Sequence, residues 1–526
     1  MGRKYAESDE SNSITSGQKN VHLESANRRT FLRATAGAAV GTAGLGVMGS
    51  SAIAEEEYGE VLDIVDDLGA DNTGEEPIND ALATATESVE YDFSHYAAAD
   101  GWPMPAIDEI DFDDDGVKVV FPPGEYVIDE GPNNWGFARW GLSPQTPAEQ
   151  QFLGKFALVG EGGQEATLRT VDDGRYTVFT LWGRDIRIEN FTVDHTPFNT
   201  STGITGQGSE KLLIKDIHFD GKVTGDYVQT PHPNDDSETY NDLVLDDPNC
   251  IGPGVFGRDG TGIVENVSAP DGVESLSRKG GSWVTFHHAG DLLYRNCEFS
   301  YFADNAIYAS AAGQHNGQQG SVRVENSLFR NNNVTAIRLG SPGSYAKNCT
   351  VITEAGEIPA TPWGAITSRA GWVWNTFDGY YKNITVINDH PSGEGILDHP
   401  IGAQDIELDV TNCRMEINVD GRNAIRYNAP GVDQLSVKNL HVTGAASDGA
   451  ALNVGNCDAT IKNVCITQSG DNRDGISVTN VTGSIKNARI DVTGDPLVED
   501  EESDVAVENF SNEGECAPAT VTDPRE

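Results

Sequence analysis

Val322-Arg323-Val324-Glu325-Asn326-Ser327-Leu328-Phe329 alternates apolar and polar residues up to an Asn, then resumes with apolar residues. The same block recurs as Ile186-Arg187-Ile188-Glu189-Asn190-Phe191-Thr192-Val193 and Tyr381-Lys382-Asn383-Ile384-Thr385-Val386. It returns as Leu435-Ser436-Val437-Lys438-Asn439-Leu440-His441-Val442 and Ile461-Lys462-Asn463-Val464-Cys465-Ile466. The Asn or Asp positions that stack are 190, 216, 266, 296, 326, 348, 383, 412, 439, 463 and 487. Their spacings are 26, 50, 30, 30, 22, 35, 29, 27, 24 and 24, the 50 fitting two turns. A period in this range with two-residue alternation means a solenoid of strands rather than a layered domain.

Each coil reads as three short strands. In the coil from Asn326 to Asn348, Ser327–Arg330 is one strand and Asn331–Thr335 a loop. Ala336–Ser341 is the next strand, Pro342-Gly343 a turn, and Ser344–Lys347 the third strand. Alternate side chains enter a central core, and coils about 4.8 Å apart stack equivalent residues. An inward Asn at a tight bend bonds the Asn above and below, satisfying buried amides that are otherwise costly. Asn190, Asn266, Asn348 and Asn383 also match N-x-[ST]; the ladder reading takes them out of glycan attachment. Asn199, Asn333, Asn480 and Asn509 remain as acceptor candidates.

The N-terminus reads as an export signal. Arg28-Arg29-Thr30-Phe31-Leu32-Arg33 is a twin-arginine motif before a Gly/Ala-rich apolar stretch, and Ala52-Ile53-Ala54 is a cleavage site, so cleavage is expected after Ala54. The stretch is too short and Gly-rich for a stable membrane anchor. The chain carries 82 acidic and 35 basic residues for a formal charge of −47. Residues 1–54 hold six basic and four acidic side chains, leaving the remainder near −49. Such a surface repels nucleic acid and anionic lipid. Spread over a strand-rich chain, it suits molar salt, where self-repulsion is screened. The composition resembles secreted proteins of halophilic archaea. Seven Cys (250, 297, 349, 413, 457, 465 and 516) show no CxxC and no metal-like His/Cys spacing, and inert core thiols are the expectation.

The expected organisation is a signal over 1–54, a cap over 55–115 with a helix at Ile78–Val89, a β-helix of about 10–12 coils over 116–493, and an acidic tail over 494–526. Regular coils run from Phe156 to Val492. Thr224–Gly260 and Ser268–Ser282 interrupt them as long loops able to wall a groove. The segment GADNTGEEPINDAL (69–82), then VVFPPGEYVI (119–128), then coils with stacked Asn, resembles the pectin-lyase-like superfamily of right-handed parallel β-helix proteins. The resemblance covers about residues 60–492. It implies an extracellular polysaccharide as partner and lyase or hydrolase activity. The polygalacturonase pattern of Asn-Thr-Asp, Asp-Asp and Gly-His-Gly is not found in order; Asp246-Asp247 and His287-His288 lack the expected neighbours.

In this fold class substrate lies along one stacked strand face. The candidate column is Trp283–His288, Ala306–Ser310, Ala336–Gly340, Ala365–Arg369, Gly395–His399 and Ala424–Asn428. With Val284, Ile307, Ile337, Ile366, Ile396 and Ile425 inward, the outward set includes Thr285, His287, Tyr308, Ser310, Arg338, Thr367, Arg369, Leu397, His399, Arg426 and Asn428. Arg278-Lys279 leans over from the adjacent loop. A cationic stripe on an anionic protein suits a uronic-acid polymer. β-Elimination there needs a carboxylate neutraliser, a base and an acid. Arg338 and Arg369 fill the first role, His287 or Lys279 the second and Tyr308 the third. Arg278, His399, Arg426, Asn428 and Trp283 are substrate-binding candidates, and Trp363, Trp372 and Trp374 could also stack on sugar rings. A hydrolase would use two facing carboxylates, with Asp271, Glu274, Asp304 and Asp398 available. A non-catalytic adhesion rod is the competing class. No metal site is assigned. Ca²⁺ has a candidate seat in Asp111-Phe112-Asp113-Asp114-Asp115, which lacks EF-hand spacing and also reads as a solvated acidic loop.

Overall fold

The computed structural model describes residues 58–86, 115–129, 153–232, 235–242, 249–314, 317–375, 377–403, 406–429 and 432–512. Everything below concerns the unit formed by Tyr58–His232 and Ser237–Glu526. The alternating blocks become short strands that pair in parallel with the strand one coil before and one coil after. Three walls result, joined in one ring-like sheet. Wall 1 runs from Glu60–Asp63 and Val117–Phe121 through Ser321–Glu325 and Tyr345–Lys347 to Asp504–Ser511. Wall 2 runs from Thr73–Pro77 and Gly124–Ile128 through Leu328–Arg330 and Thr350–Thr353. Wall 3 begins in Arg175–Asp194 and Ser201–Asp220 and passes through Ile251–Val255, Ser282–Trp283, Ile307–Ala309 and Ile337–Leu339. It continues through Arg369–Asn375, Glu394–Ala403 and Ile425–Tyr427 to Leu497–Glu499. This is a parallel β-helix.

The corner between walls 1 and 2 explains the Asn. Asn190, Asp216, Asn266, Asn296, Asn326, Asn348, Asn383, Asn412, Asn439, Asn463 and Asn487 all have φ between 50° and 63°. That left-handed conformation bends the chain in one residue, and Asn and Asp adopt it more readily than other side chains. The amides then link coil to coil: Asn348 Nδ2 donates to Asn326 Oδ1 at 3.0 Å and Asn383 Nδ2 to Asn348 Oδ1 at 2.8 Å. The series continues from Asn439 to Asn412, Asn463 to Asn439 and Asn487 to Asn463. The ladder faces outward, not into the core as expected, because its φ turns the side chain to the outer edge. Asn509 extends it, donating to Asn487, and Asn480 joins a second ladder with Asn456. Asn333 is buried and Asn199 is bonded to Arg175 and Asp226. All four expected glycan acceptors are therefore engaged.

Inside, each wall stacks its apolar residues. Wall 1 contributes Ile188, Ile214, Val264, Tyr294, Val324, Ala346, Tyr381 and Val410 in register. Wall 2 contributes Phe299, Phe329, Val351, Val386 and Met415. All are buried, each worth about 1.5–3 kcal/mol for a full-sized side chain. The sheet is longer than the spacing indicated at both ends. Glu60–Asp63 already pairs inside the expected cap, and Leu497–Glu499 and Asp504–Ser511 pair inside the expected tail. The interruption expected over 224–260 contains the wall 3 strand Ile251–Val255. The cap helix spans Asn79–Thr86 and buries Ile78, Ala81, Leu82 and Ala85 in the core. Asn79 ties its start to the sheet through Asp129, donating to its carbonyl and accepting from its N–H. Cys250, Cys297, Cys349, Cys413 and Cys457 are buried thiols, but Cys465 is disulfide-bonded, against expectation. The twin-arginine motif, the cleavage site and Asp111–Asp114 lie outside the described residues, in which no helix is long and apolar enough to cross a membrane.

Candidate functional site

Strand register fixes what wall 3 presents outward. Ser282, Ile307, Ile337, Gly371, Ile396 and Ile425 are mutual partners and form the inward row. The next position in each strand gives the outward row Trp283, Tyr308, Arg338, Trp372, Leu397 and Arg426. Val284 is inward as expected, buried in the core just past the strand Ser282–Trp283, but out of the expected register, its N–H donating to the Tyr308 carbonyl. Ile366 is displaced, because the wall 3 strand expected at 365–369 is Arg369–Asn375. The reason is core volume. Tyr294 and Tyr381 of wall 1 reach across, the first bonding Ser282 Oγ at 2.7 Å and the second the Ile337 carbonyl at 3.1 Å. A Cβ on Gly371 would stand 2.7 Å from the Tyr381 ring, so the partner of a core Tyr must be small.

Arg338 and Arg369 converge on one indole. The Arg338 guanidinium centre lies 3.8 Å from the Trp374 ring centroid, 4.1 Å from Tyr308 and 5.1 Å from Trp372. Its Nε donates to Ser310 Oγ at 2.8 Å, and Arg338 is only 8% exposed. Arg369 stacks over Trp372 at 4.1 Å and donates from Nη1 to the carbonyls of Val334 and Thr367. Trp372 and Trp374 meet edge to face at 4.9 Å, and Trp372 Nε1 donates to the Asp398 carbonyl. Each cation–π contact is worth about 0.5–2 kcal/mol, more where water is excluded. The result is a rigid aromatic floor with guanidinium groups stacked into it.

The other expected residues scatter. Lys279 is completely buried, its Nζ donating to Ser201 Oγ at 2.9 Å. Burial and the Lys279 charge push His195 down to about 3. His287 is packed against Phe286 at 4.2 Å and Trp182 at 5.9 Å. Trp182 sits three rungs before Trp283. Burial lowers it to about 4, leaving it neutral. Its neighbour His288 is structural: Nδ1 accepts from the Val255 N–H and Nε2 donates to the Ser321 carbonyl. Arg278 is exposed on the loop, and His399 lies on the strand Glu394–Ala403 with its side chain outside the described part. Asn428 donates to Asn453 Oδ1.

The four acids occupy different settings. Asp304 accepts from the Asn305 backbone and side-chain amides. Asp398 is buried and takes the N–H groups of Asn428 and Ala429 on Oδ2; burial raises it above the ordinary carboxylate range. Glu274 belongs to the loop bridged to Val223, and Asp271 precedes it on that loop; burial, and then the Glu274 charge, raise Tyr227. Tyr308, Arg338 and Arg369 are thus brought together, Trp283 stands on the same row, and Arg426 lies two rungs past Trp372. Sequence reasoning missed Glu394 and Arg422. Glu394 Oε1 is 2.9 Å from Arg422 Nη1, and its Oε2 is 3.6 Å from Arg426 Nη1. Only their lying one coil apart connects them, which spacing alone could have suggested. Among the described residues no group of three or more His, Cys, Asp or Glu side chains is placed to hold a metal ion.

No protein-family description and no curated protein matches the sequence. Similar solved structures include the A-module of a mannuronan C-5 epimerase from Azotobacter vinelandii. It is 12% identical with a TM-score of 0.35, over 85% of this chain and 100% of that one. The catalytic unit of an α-1,3-glucanase from Streptomyces thermodiastaticus is 13% identical with a TM-score of 0.34, over 89% and 70%. The surface adhesin PfbA of Streptococcus pneumoniae is 11% identical with a TM-score of 0.34, over 83% and 93%. The likeness is one of fold alone.

Proposed function

We propose that this chain is an exported polysaccharide-active β-helix that holds an acidic glycan along the outer face of wall 3 and cleaves it by β-elimination. The observation that carries the reading is the gathering of Tyr308, Trp372 and Trp374 around Arg338, with Arg369 over Trp372, on a stacked, outward row. Stacked rings offer sugar faces a platform, and guanidinium groups beside them offset the uronate carboxylate and acidify the adjoining C–H. With Lys279 buried against Ser201 and His287 packed between Phe286 and Trp182, Tyr308 is the proton-transferring group on this row. It takes the proton from the sugar carbon and returns one to the leaving oxygen. Hydrolysis is the weaker reading, because Asp304 Oδ1 already accepts from the backbone and side-chain amides of Asn305 and Asp398 Oδ2 from two backbone N–H groups.

Binding without turnover is the second reading. The enclosure of Arg338 and the burial of Lys279 favour it, since both suit a rigid platform better than mobile chemistry. A panel of uronate and neutral polysaccharides, incubated with the protein in molar salt, separates the three. Unsaturated uronate chromophores mean elimination; new reducing ends without them mean hydrolysis; co-sedimentation without products means a binding rod. Loss of product with Tyr308→Phe, with binding retained, is the expected result. The export step is tested by the N-terminal sequence of the secreted protein, expected to begin at Glu55.

A further inference from the structure

We propose that Arg426, oriented by Glu394 and flanked by Arg422, forms a second oxyanion subsite on the same face, two rungs beyond Trp372. The inference rests on the glycan-binding reading of wall 3 and names which group of the glycan is read there: a carboxylate or a sulfate ester. Arg338 and Arg369, stacked on rings and bonded in part to Ser310 and to backbone carbonyls, serve the uronate at the reacting position. Arg426 differs. It occupies the outward position of its strand, its side chain is 29% exposed, and among the described residues its ion pair is with Glu394, at 3.6 Å. That distance exceeds a hydrogen bond, so the donor fork stays available to a planar oxyanion.

Glu394 explains why the fork is open yet fixed. Its side chain is 12% exposed, and its carboxylate lies between Arg422 (Nη1 to Oε1, 2.9 Å) and Arg426. Arg422 is further pinned by Nε donating to the Pro391 carbonyl at 2.9 Å. Register places Glu394 beside Arg369, the expected neutraliser one coil earlier. Two arginines therefore share one carboxylate, with a third in register one coil earlier, in a chain where acids outnumber bases 82 to 35. Asp398 also faces Arg426, but it is buried, with its Oδ2 taken by two amides, and burial shifts it toward the neutral acid. The local excess of positive charge favours an anion. Two rungs set this subsite about 10 Å from Trp372, so an extended glycan can meet both at once.

The test compares a uronate oligosaccharide, the same oligosaccharide with its carboxyls reduced, and a sulfated one, by calorimetry in molar KCl. Arg426→Gln is expected to weaken uronate or sulfated oligosaccharide by about tenfold, as loss of one charge-assisted pair does, and to leave the reduced one unchanged. Arg426→Lys keeps the charge without the fork and should fall between. Glu394→Gln should lower the charged-to-neutral ratio by less than Arg426→Gln. Whichever anionic oligosaccharide responds identifies the source of the oxyanion. A ratio unchanged in both Arg426 variants overturns the subsite while leaving the glycan face intact. If the wild type binds no oligosaccharide, the glycan reading fails by itself. Inorganic sulfate, exchanged for chloride at fixed ionic strength, then decides the subsite: a rise in wild-type melting temperature absent from Arg426→Lys supports it, and no rise overturns it.

Discussion

At the scale of the residue, burial decided which expected groups keep their roles. His287 is expected to act as a base, and burial, with packing against Phe286 and Trp182, lowers it to about 4, which leaves it a weak one. The sign of the consequence follows. Unfolded, the ring binds a proton below about 6.5; folded, it resists until about 4. The unfolded state therefore binds more protons between those values, and stability is lost as pH falls through that window. At about 1.4 kcal/mol per unit the penalty at its foot is on the order of 3 kcal/mol. His195 and His288, also lowered by burial, act in the same direction. Denaturant midpoints in molar salt should already decline between pH 6.5 and 5, above the range where carboxylates titrate, and His287→Gln should flatten that decline by up to one proton's worth. An unchanged slope in the variant would show that His287 does not titrate as its surroundings dictate. Period-two alternation placed Tyr308, Arg338 and Arg426 on one face. It could not reveal that Lys279, in a loop with no periodicity, folds inward onto Ser201.

At the scale of the element, the Asn block was legible because one position satisfies two demands, a left-handed bend and a lateral amide bond. What misled was the assumption that stacked amides are buried. Asn348 shows both demands, with φ 54° and bonds to Asn326 below and Asn383 above. Asn348→Ala should cost about 1–2 kcal/mol for the conformation, plus about 0.5–1.5 kcal/mol for each lost bond. Asn348→Gly restores the bend and loses only the bonds, so it should recover part of the deficit. Equal losses in the two variants, read from unfolding midpoints in molar salt, would mean that the bend carries no strain. The coil after Asn348 was the least legible, and its 35-residue spacing was the warning. The extra residues form a loop pinned by buried Asn333, whose Nδ2 donates to the Pro359 and Ala365 carbonyls and whose Oδ1 accepts from the Thr367 N–H. That loop delays wall 3 until Arg369–Asn375, moving the strand four residues beyond its expected start.

At the scale of the whole molecule, a stack of parallel coils can be read from its period, but the fold leaves the reaction open, because function resides in the side chains grafted on one wall. The charge has a consequence that the stacking sharpens. Parallel register sets like residues one above another about 4.8 Å apart, so acids on successive coils repel directly rather than through a diffuse field. On wall 1, Asp378 is the register partner of Glu407, and one coil beyond Gln434 stands Asp458. At 0.1 M salt the screening length is about 10 Å, longer than two rungs, whereas at 1 M it is about 3 Å, shorter than one. Lowering the salt therefore turns on repulsion between adjacent coils throughout a chain of net charge −47. Because each coil contacts only its neighbours, stability is a sum of such interfaces. The melting temperature should fall steeply between molar and 0.1 M salt. Glu407→Gln, removing one member of a directly opposed pair worth about 0.2–1 kcal/mol, should raise the low-salt value and leave the molar-salt value nearly unchanged. A melting temperature independent of salt, or a Glu407→Gln gain of equal size at both concentrations, would mean that the stacked acids are not the source of the strain.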